Sequence, residues 1–236
     1  MKISICGLGY IGLPLAELLI GAGHEVHGTT TTLQKLIDNP FAEILRSPSL
    51  PSENILNCDI LVLNIPPSDG QLAWFKEWDL SLVKKIIFVS STSALHTDGR
   101  NSEVLRSEEA WIKACGLPWI IVRPGGLLGH GRHPGKSLSG KTGIKGGESP
   151  VNIIHADDVN GFICAVIEKK LENDSFELVS DEHHTKEEFY SEYCRRMNLP
   201  LPQFDSADKN PGVIISNEMM KRHYQLKFPT MLGKSL

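Results

Sequence analysis

The sequence predicts an α/β fold: a doubly wound parallel sheet covered by helices on both faces, with a small C-terminal lobe. Three observations predict it. Apolar runs without polar alternation recur along the chain, helical patterns separate them, and glycines at fixed spacing follow the first run. Strands buried on both faces read as continuous Val, Ile and Leu, whereas a half-exposed sheet alternates. Parallel neighbours need helical crossovers, which are right-handed.

Ile3 to Cys6 is the first strand, and Leu13 to Ile20 is an amphipathic helix that ends near Gly21-Ala22-Gly23. Glu25 to Gly28 is the second strand. Between Asp38 and Asn57, prolines interrupt the pattern and periodicity is weakest. Asp59 to Ile65, DILVLNI, is a continuous apolar strand stopped by Pro66-Pro67, because proline has no amide to give a ladder. Lys85 to Val89 is the next strand and ends in Ser90-Ser91-Thr92-Ser93. A helix follows from about Ser102 to Ala114, then a strand from Trp119 to Val122.

The composition changes after Val122. Nine glycines fall between Gly125 and Gly147, in a stretch that also holds Arg132, Lys136, Lys141 and Lys145. An irregular segment of ~20 residues in a compact domain is functional or disordered. Helical pattern resumes at Ala156 to Lys169, a strand is expected at Phe176 to Ser180, and a helix follows Thr185. Thr185 and Glu188 have the Thr-x-x-Glu spacing of a capping box.

The 236 residues are 41% apolar and 22% charged, which fits a globular chain and excludes wholesale disorder. A formal charge of −4 offers no basic field for nucleic acid or an anionic membrane. No apolar run approaches the ~20 residues that span a bilayer, and the start does not read as a signal peptide. Cys6, Cys58, Cys115, Cys164 and Cys194 are scattered without a CxxC pair, as reduced thiols are. A cytoplasmic protein with no metal, nucleic-acid or membrane partner is expected.

Gly7, Gly9 and Gly12 form GLGYIG, the GxGxxG pattern, directly after a strand and at the start of a helix. In that context the first glycine makes a tight turn, the second admits a pyrophosphate and the third lets helix and strand pack closely. The anion then rests on the helix N-terminus. An NAD site usually places a carboxylate about 20 residues on, to hold the ribose. Here that place is Thr29-Thr30-Thr31-Thr32, with no acid before Asp38, and Lys35 is close by. The pattern favours NADP over NAD, since no carboxylate repels a 2′-phosphate.

Gly135 to Thr142, GKSLSGKT, matches the phosphate-loop text GxxxxGK[ST]. A true phosphate loop follows a strand and opens a helix. Neither is expected here, and a cationic substrate loop formed by Arg132, Lys136 and Lys141 is the better reading. Glu182-His183-His184 reads as a polar loop ahead of the Thr185 cap, and Trp74, Trp78 and Trp111 as packing residues.

GLGYIG, FVSSTS at Phe88 to Ser93, VRPGGLLG at Val122 to Gly129 and NIIHADDV at Asn152 to Val159 occur in that order. Together they resemble the extended short-chain dehydrogenase/reductase superfamily, in particular NAD-dependent epimerase/dehydratase-like proteins of its atypical branch. The tail ISNEMMKRHYQLKFPTM is also similar, so the resemblance covers nearly the whole chain. It implies a Rossmann fold, with residues 1–150 as the NAD(P)-binding domain. Residues 151–236 would add further Rossmann elements and the substrate lobe.

It further implies that Gly7, Gly9, Tyr10, Ile11 and Gly12 hold the pyrophosphate, with Thr29 and Thr30 at the adenosine ribose. Asn64, Ile65 and Pro66 would border the middle of the cofactor, Ser90 and Ser91 the nicotinamide, and Arg123, Pro124 and Gly125 its far end. A small-molecule substrate, anionic if the cationic loop meets it, is the expected partner. Oligomeric state stays open, a homodimer being one arrangement.

Members of that superfamily work with a Ser or Thr hydroxyl and a Tyr-x-x-x-Lys pair, and Ser91 matches the hydroxyl. The pair is missing: Tyr10, Tyr190, Tyr193 and Tyr224 are followed four residues on by Pro14, Cys194, Met197 and Phe228. Asn101 and Leu105, or Arg100 and Val104, stand in its slots. A general acid or base contributes about 10²–10⁴-fold, so either another group moves the proton or the protein is a silent cofactor-binding sensor or scaffold. His96, His130 and His133 are the candidates for that group.

Overall fold

The computed structural model describes residues 1–96, 100–208 and 210–232. The chain divides into two compact units, one of residues 1–123 and 163–176, the other of 124–162 and 177–236. Among the described residues nine strands occur: β1 (Lys2–Cys6), β2 (Glu25–Thr30), β3 (Ala42–Ile44), β4 (Ile60–Leu63), β5 (Ile86–Val89), β6 (Trp119–Pro124), β7 (Gly126–Leu128), β8 (Ile153–His155) and β9 (Asp174–Leu178). The helices are α1 (Gly12–Gly21), α2 (Leu33–Asp38), α3 (Glu53–Leu56), α4 (Gln71–Lys76), α5 (Arg100–Ala114), α6 (Gly135–Leu138), α7 (Ala156–Glu168), α8 (Lys186–Arg196) and α9 (Glu218–Lys221). Among the described residues no helix is long and apolar enough to cross a membrane.

The first unit is built on a seven-stranded sheet in the order β3-β2-β1-β4-β5-β6-β9. The pairs from β3 through β6 are all parallel. β1 lies between β2 and β4, so the strand order reverses there, and ligands of such sheets bind at the carboxyl ends beside that reversal. The apolar runs are buried as their composition requires: β4 is buried at all four positions. α1 turns Leu15, Ala16 and Leu19 inward. Trp74 and Trp78 join Phe75, Phe88 and Ile112 in one cluster, with Trp111 packed against it.

The structure adds elements inside the proline-interrupted stretch. β3 pairs with β2 from Gly28↔Ala42 to Thr30↔Ile44, and β2 therefore runs two residues past Gly28. β9 begins at Asp174, two residues before the expected Phe176.

In the second unit β7 pairs in parallel with β8, Gly126↔Ile153 to Leu128↔His155. That ladder ties the segment after β6 to residues more than two dozen positions away, and the second compact unit begins at Pro124. α8 opens with the full capping box: the Glu188 amide donates to Thr185 Oγ1 at 3.2 Å, and the Thr185 amide to Glu188 Oε2 at 3.1 Å.

Candidate functional site

The three glycines of the β1–α1 loop answer different demands. Gly7 has φ +106°, and a Cβ on it would stand 2.2 Å from the Asn64 carbonyl oxygen. A Cβ on Gly12 would stand 2.2 Å from the Gly7 carbonyl oxygen. Packing alone requires both. A Cβ on Gly9 would meet nothing nearer than the Gly7 carbonyl oxygen at 4.0 Å. Gly9 is thus unconstrained by neighbours: its Cβ position is open space.

Hydrogen bonds hold the loop to its flanking strands. The Leu8 amide donates to the Thr29 carbonyl at 2.8 Å, and the Gly7 amide reaches Thr29 Oγ1 at 3.2 Å. Asn64 Nδ2 donates to the Gly7 carbonyl at 3.1 Å. α1 begins at Gly12 with no side-chain cap from Ile11; Pro14 has no amide hydrogen and the Leu13 and Leu15 amides bond the Gly9 and Ile11 carbonyls at 3.2 and 3.1 Å, so what this end of the helix presents is the positive pole of its dipole. Ile11 is buried and Tyr10 half-buried, as is Ile65, while Pro66 is exposed. Burial pushes the Cys6 thiol up, which suits a structural residue rather than a nucleophile.

At the carboxyl end of β2, Thr29 and Thr30 are buried. The Thr29 hydroxyl serves the glycine loop, and Thr30 Oγ1 bonds Thr32. The groups on the outside are Thr31, Thr32, Lys35 and Arg46. Lys35 Nζ donates to the Leu8 carbonyl at 2.7 Å, which places an ammonium on the glycine loop. Arg46 donates twice to the Thr31 carbonyl, at 3.1 and 2.6 Å. Sequence reasoning missed Arg46, because the strand that carries the chain to it lies in the stretch of weakest periodicity.

Past β5, Ser90 and Ser91 diverge. Ser90 Oγ donates to Glu109 Oε1 at 2.7 Å, and Arg123 meets the same carboxylate through two bonds of 2.8 and 2.6 Å. All three are buried, so the Arg123 guanidinium is committed to a compensated interior pair. Ser91 is half-buried and caps the short turn Thr92–Leu95, its Oγ accepting from the Ser93 amide at 3.1 Å. On α5, Asn101 is exposed and Leu105 buried. One turn on, Glu108 is 1% exposed with Oε1 unpartnered, and burial pushes its carboxyl up to about 7.

In the second unit, Pro124 is buried and Gly125 lies against Asn152, whose carbonyl oxygen would stand 2.3 Å from an added Cβ. Arg132, Lys136 and Lys141 are exposed. Lys136 sits in α6, a single turn, and no helix opens at Lys141, the next being α7 at Ala156. The GKSLSGKT segment therefore has neither element of a phosphate loop. Glu182 accepts from the Met231 and Leu232 amides and lies 3.2 Å from His184 Nε2. No group of three or more His, Cys, Asp or Glu side chains suited to a metal occurs among the described residues.

The three candidate histidines separate clearly. His133 stacks on Tyr193 at 3.7 Å and 4°, accepts from the Gly135 amide, and is pushed down to about 4 by burial. His96 is exposed, and its carbonyl accepts from Arg106. His130 lies against a carboxylate, with Nε2 at 2.7 Å from Asp157 Oδ1.

No protein-family model matches the chain. It is 32% identical to protein YeeZ of Escherichia coli K12 over an alignment of 249 positions, covering 91% of this chain and 90% of that one. Among solved structures, a functionally unknown conserved protein from Silicibacter pomeroyi superposes with a TM-score of 0.78 at 20% identity, over 97% of this chain and 94% of that one. A human epimerase family protein solved with NADPH gives 0.68 at 19% identity, covering 98% and 96%. The Bordetella bronchiseptica enzyme WbmH in complex with NAD+ gives 0.70 at 14% identity, covering 98% and 92%. The chain belongs to the family of protein YeeZ, on the Rossmann-type fold shared by epimerase/dehydratase-like short-chain dehydrogenase/reductase proteins.

Proposed function

We propose that the first unit binds a nicotinamide dinucleotide at the β1–α1 loop, NADP in preference to NAD, and that the chain is an oxidoreductase of the epimerase/dehydratase kind. Gly9 carries this reading. Folding demands Gly7 and Gly12 but leaves Gly9 facing open space, beside the N-terminus of a ten-residue helix whose dipole favours an anion. A pyrophosphate needs that backbone approach. In this reading Gly7, Gly9, Tyr10, Ile11 and Gly12 cradle the diphosphate, and Asn64, Ile65 and Pro66 border the ring system. Ser90 supports the end of β5 through Glu109 and Arg123, while Ser91 offers its hydroxyl. The cofactor, when bound, supplies hydride chemistry.

The NADP preference rests on charge. No carboxylate ends β2, and Lys35 and Arg46 are the cations bonded to the backbone on either side of it. Fold relatives include one solved with NADPH and one with NAD+. The exposed Arg132, Lys136 and Lys141 suit a substrate with an anionic group. The missing Tyr-x-x-x-Lys pair favours a second reading, a silent cofactor-binding module that senses redox state.

Titration with NADPH and NADH, followed by nicotinamide fluorescence, tests the first reading. Tighter binding of NADPH is expected, and Lys35→Ala with Arg46→Ala should cut that preference about tenfold, the order of one charge-assisted contact. Equal affinities, unmoved by the double substitution, would remove the NADP assignment.

A further inference from the structure

Within the second unit, four rings meet where the chain enters α6 and packs on α8. α8 carries Lys186, Phe189, Tyr190 and Tyr193 at i, i+3, i+4 and i+7, the spacing of a single helix face. His133 lies on that face. Its ring is parallel to Tyr193 at 3.7 Å and 4° and to Phe189 at 5.2 Å and 13°, with Tyr190 edge-on at 6.4 Å and 89°. Phe189 belongs to the buried core of this unit and Tyr190 packs against it, so the rings stand on a fixed base.

The clamp fixes the imidazole chemically as well as sterically. His133 Nδ1 accepts from the Gly135 amide at 3.0 Å, and a Cβ on Gly135 would stand 2.7 Å from Tyr193 Cδ1, so glycine is what lets amide and rings approach this closely. Burial holds the imidazole neutral, down at about 4, and with Nδ1 accepting, its one ring proton sits on Nε2. Nε2 is then a donor only. It has no partner among the described residues, and it is not one of the polar atoms sealed in the interior. Burial raises the Tyr190 phenol, which keeps its proton too, and neither its hydroxyl nor that of Tyr193 has a partner among the described residues. Tyrosine hydroxyls in such packed surroundings ordinarily find one.

Fixed, uncommitted donors select an acceptor, and the local charge decides its kind. Arg132 adjoins His133, Lys136 sits in α6, and Lys186 heads the ring-bearing face of α8. The acids of α8 are engaged elsewhere: Glu188 closes the capping box, and Glu192 pairs with Arg195 and Arg196. Glu187, the remaining one, lies off the ring face. We propose that His133 Nε2 and the Tyr190 hydroxyl are the donors that seat an oxyanion, a carboxylate or phosphate group of a small molecule, with Arg132 and Lys136 supplying the surrounding charge. The site deepens the reading of a substrate with an anionic group and rests on it. His133 serves in it as a neutral donor locked in one tautomer, binding the ligand without exchanging a proton.

Histidine nitrogen NMR of the whole chain at neutral pH is the test, with inorganic phosphate and propionate as probes. The His133 signals should show Nε2 protonated and Nδ1 bare, and the Nε2 signal should move saturably as either anion is added. The tighter of the two tells a phosphate seat from a carboxylate seat. Tyr190→Phe keeps the ring and drops the hydroxyl, so it should melt with the parent while its dissociation constant for the anion rises about tenfold, the order of one hydrogen bond to a charged group. His133→Phe keeps the stack and should lose the binding; if it fails to fold, the parent spectra and Tyr190→Phe still decide. A proton on Nδ1, or an unchanged dissociation constant in Tyr190→Phe, overturns the proposal. Binding that leaves the His133 signals unmoved and that Lys136→Ala with Lys141→Ala abolishes removes this site but keeps the reading of an anionic substrate. Binding of neither anion removes both.

Discussion

In the loop after β1, Gly7 and Gly12 are pressed against carbonyl oxygens 2.2 Å from where a Cβ would stand, while Gly9 between them opens on free space. In the segment from Gly125 to Gly147, Gly140, Gly143 and Gly146 instead take positive φ of 70°, 64° and 73°. There Gly135 and Gly147 lie against the rings of Tyr193 and Phe204. Both segments carry a phosphate-binding pattern in their text. The first stands between a strand and a ten-residue helix, so an anion has a helix N-terminus to rest on. The second contains a one-turn helix within the pattern itself and runs on to an isolated bridge from Ile144 to Phe204. A glycine pattern acquires its meaning from the elements on either side of it.

Substitutions can break or sharpen that contrast. The largest effect is expected at Gly7→Ala, where positive φ and a backbone clash act together. A loss of about 3 kcal/mol should lower the melting temperature by roughly 10 °C, read by thermal denaturation. A melting temperature equal to the parent's would mean that packing does not demand this glycine.

The same distinction between committed and unconstrained groups holds for two adjacent acids of α5. Glu109 is fully paired, whereas Glu108 is buried with an unpartnered oxygen and titrates at about 7 instead of the ordinary 4.5. The folded chain therefore holds a proton that the unfolded chain has lost, and stability falls as pH rises from 4.5 through 7. Glu108→Gln should be more stable than the parent by about 2 kcal/mol at pH 8 and equal to it at pH 4.5. Urea denaturation at the two pH values checks this. The smallest effect belongs to Lys141→Ala: if its segment is no phosphate loop, calorimetry should find no ATP binding before or after the change.

How much of this was legible in the sequence follows from range and length. β1, α1, β2, β4, β5, α5 and β6 are continuous apolar or periodic runs, and their local pattern suffices. β3, α3 and α4 are three to six residues long and lie among prolines, so their identity comes from long-range pairing. β7 and β8 are three residues each, joined across a glycine-rich stretch whose register no periodicity records. At the site, the glycines are legible because strand and helix flank them. Thr29 is legible only as a hydroxyl: that it serves the Gly7 amide depends on a loop folded back over 22 positions. Pairing of His130 with Asp157 spans 27 positions and two elements, and the burial that sets His133 apart comes from α8.

The most direct test of the account is Gly9→Ala, compared with the parent by thermal denaturation with and without NADPH. Because Gly9 has open space, the variant without ligand should melt within about 2 °C of the parent. At 100 times its dissociation constant, NADPH should stabilise the parent by about 2.7 kcal/mol, and the variant should lose that gain. A variant that is stabilised as fully as the parent would contradict the claim that Gly9 is kept open for a dinucleotide.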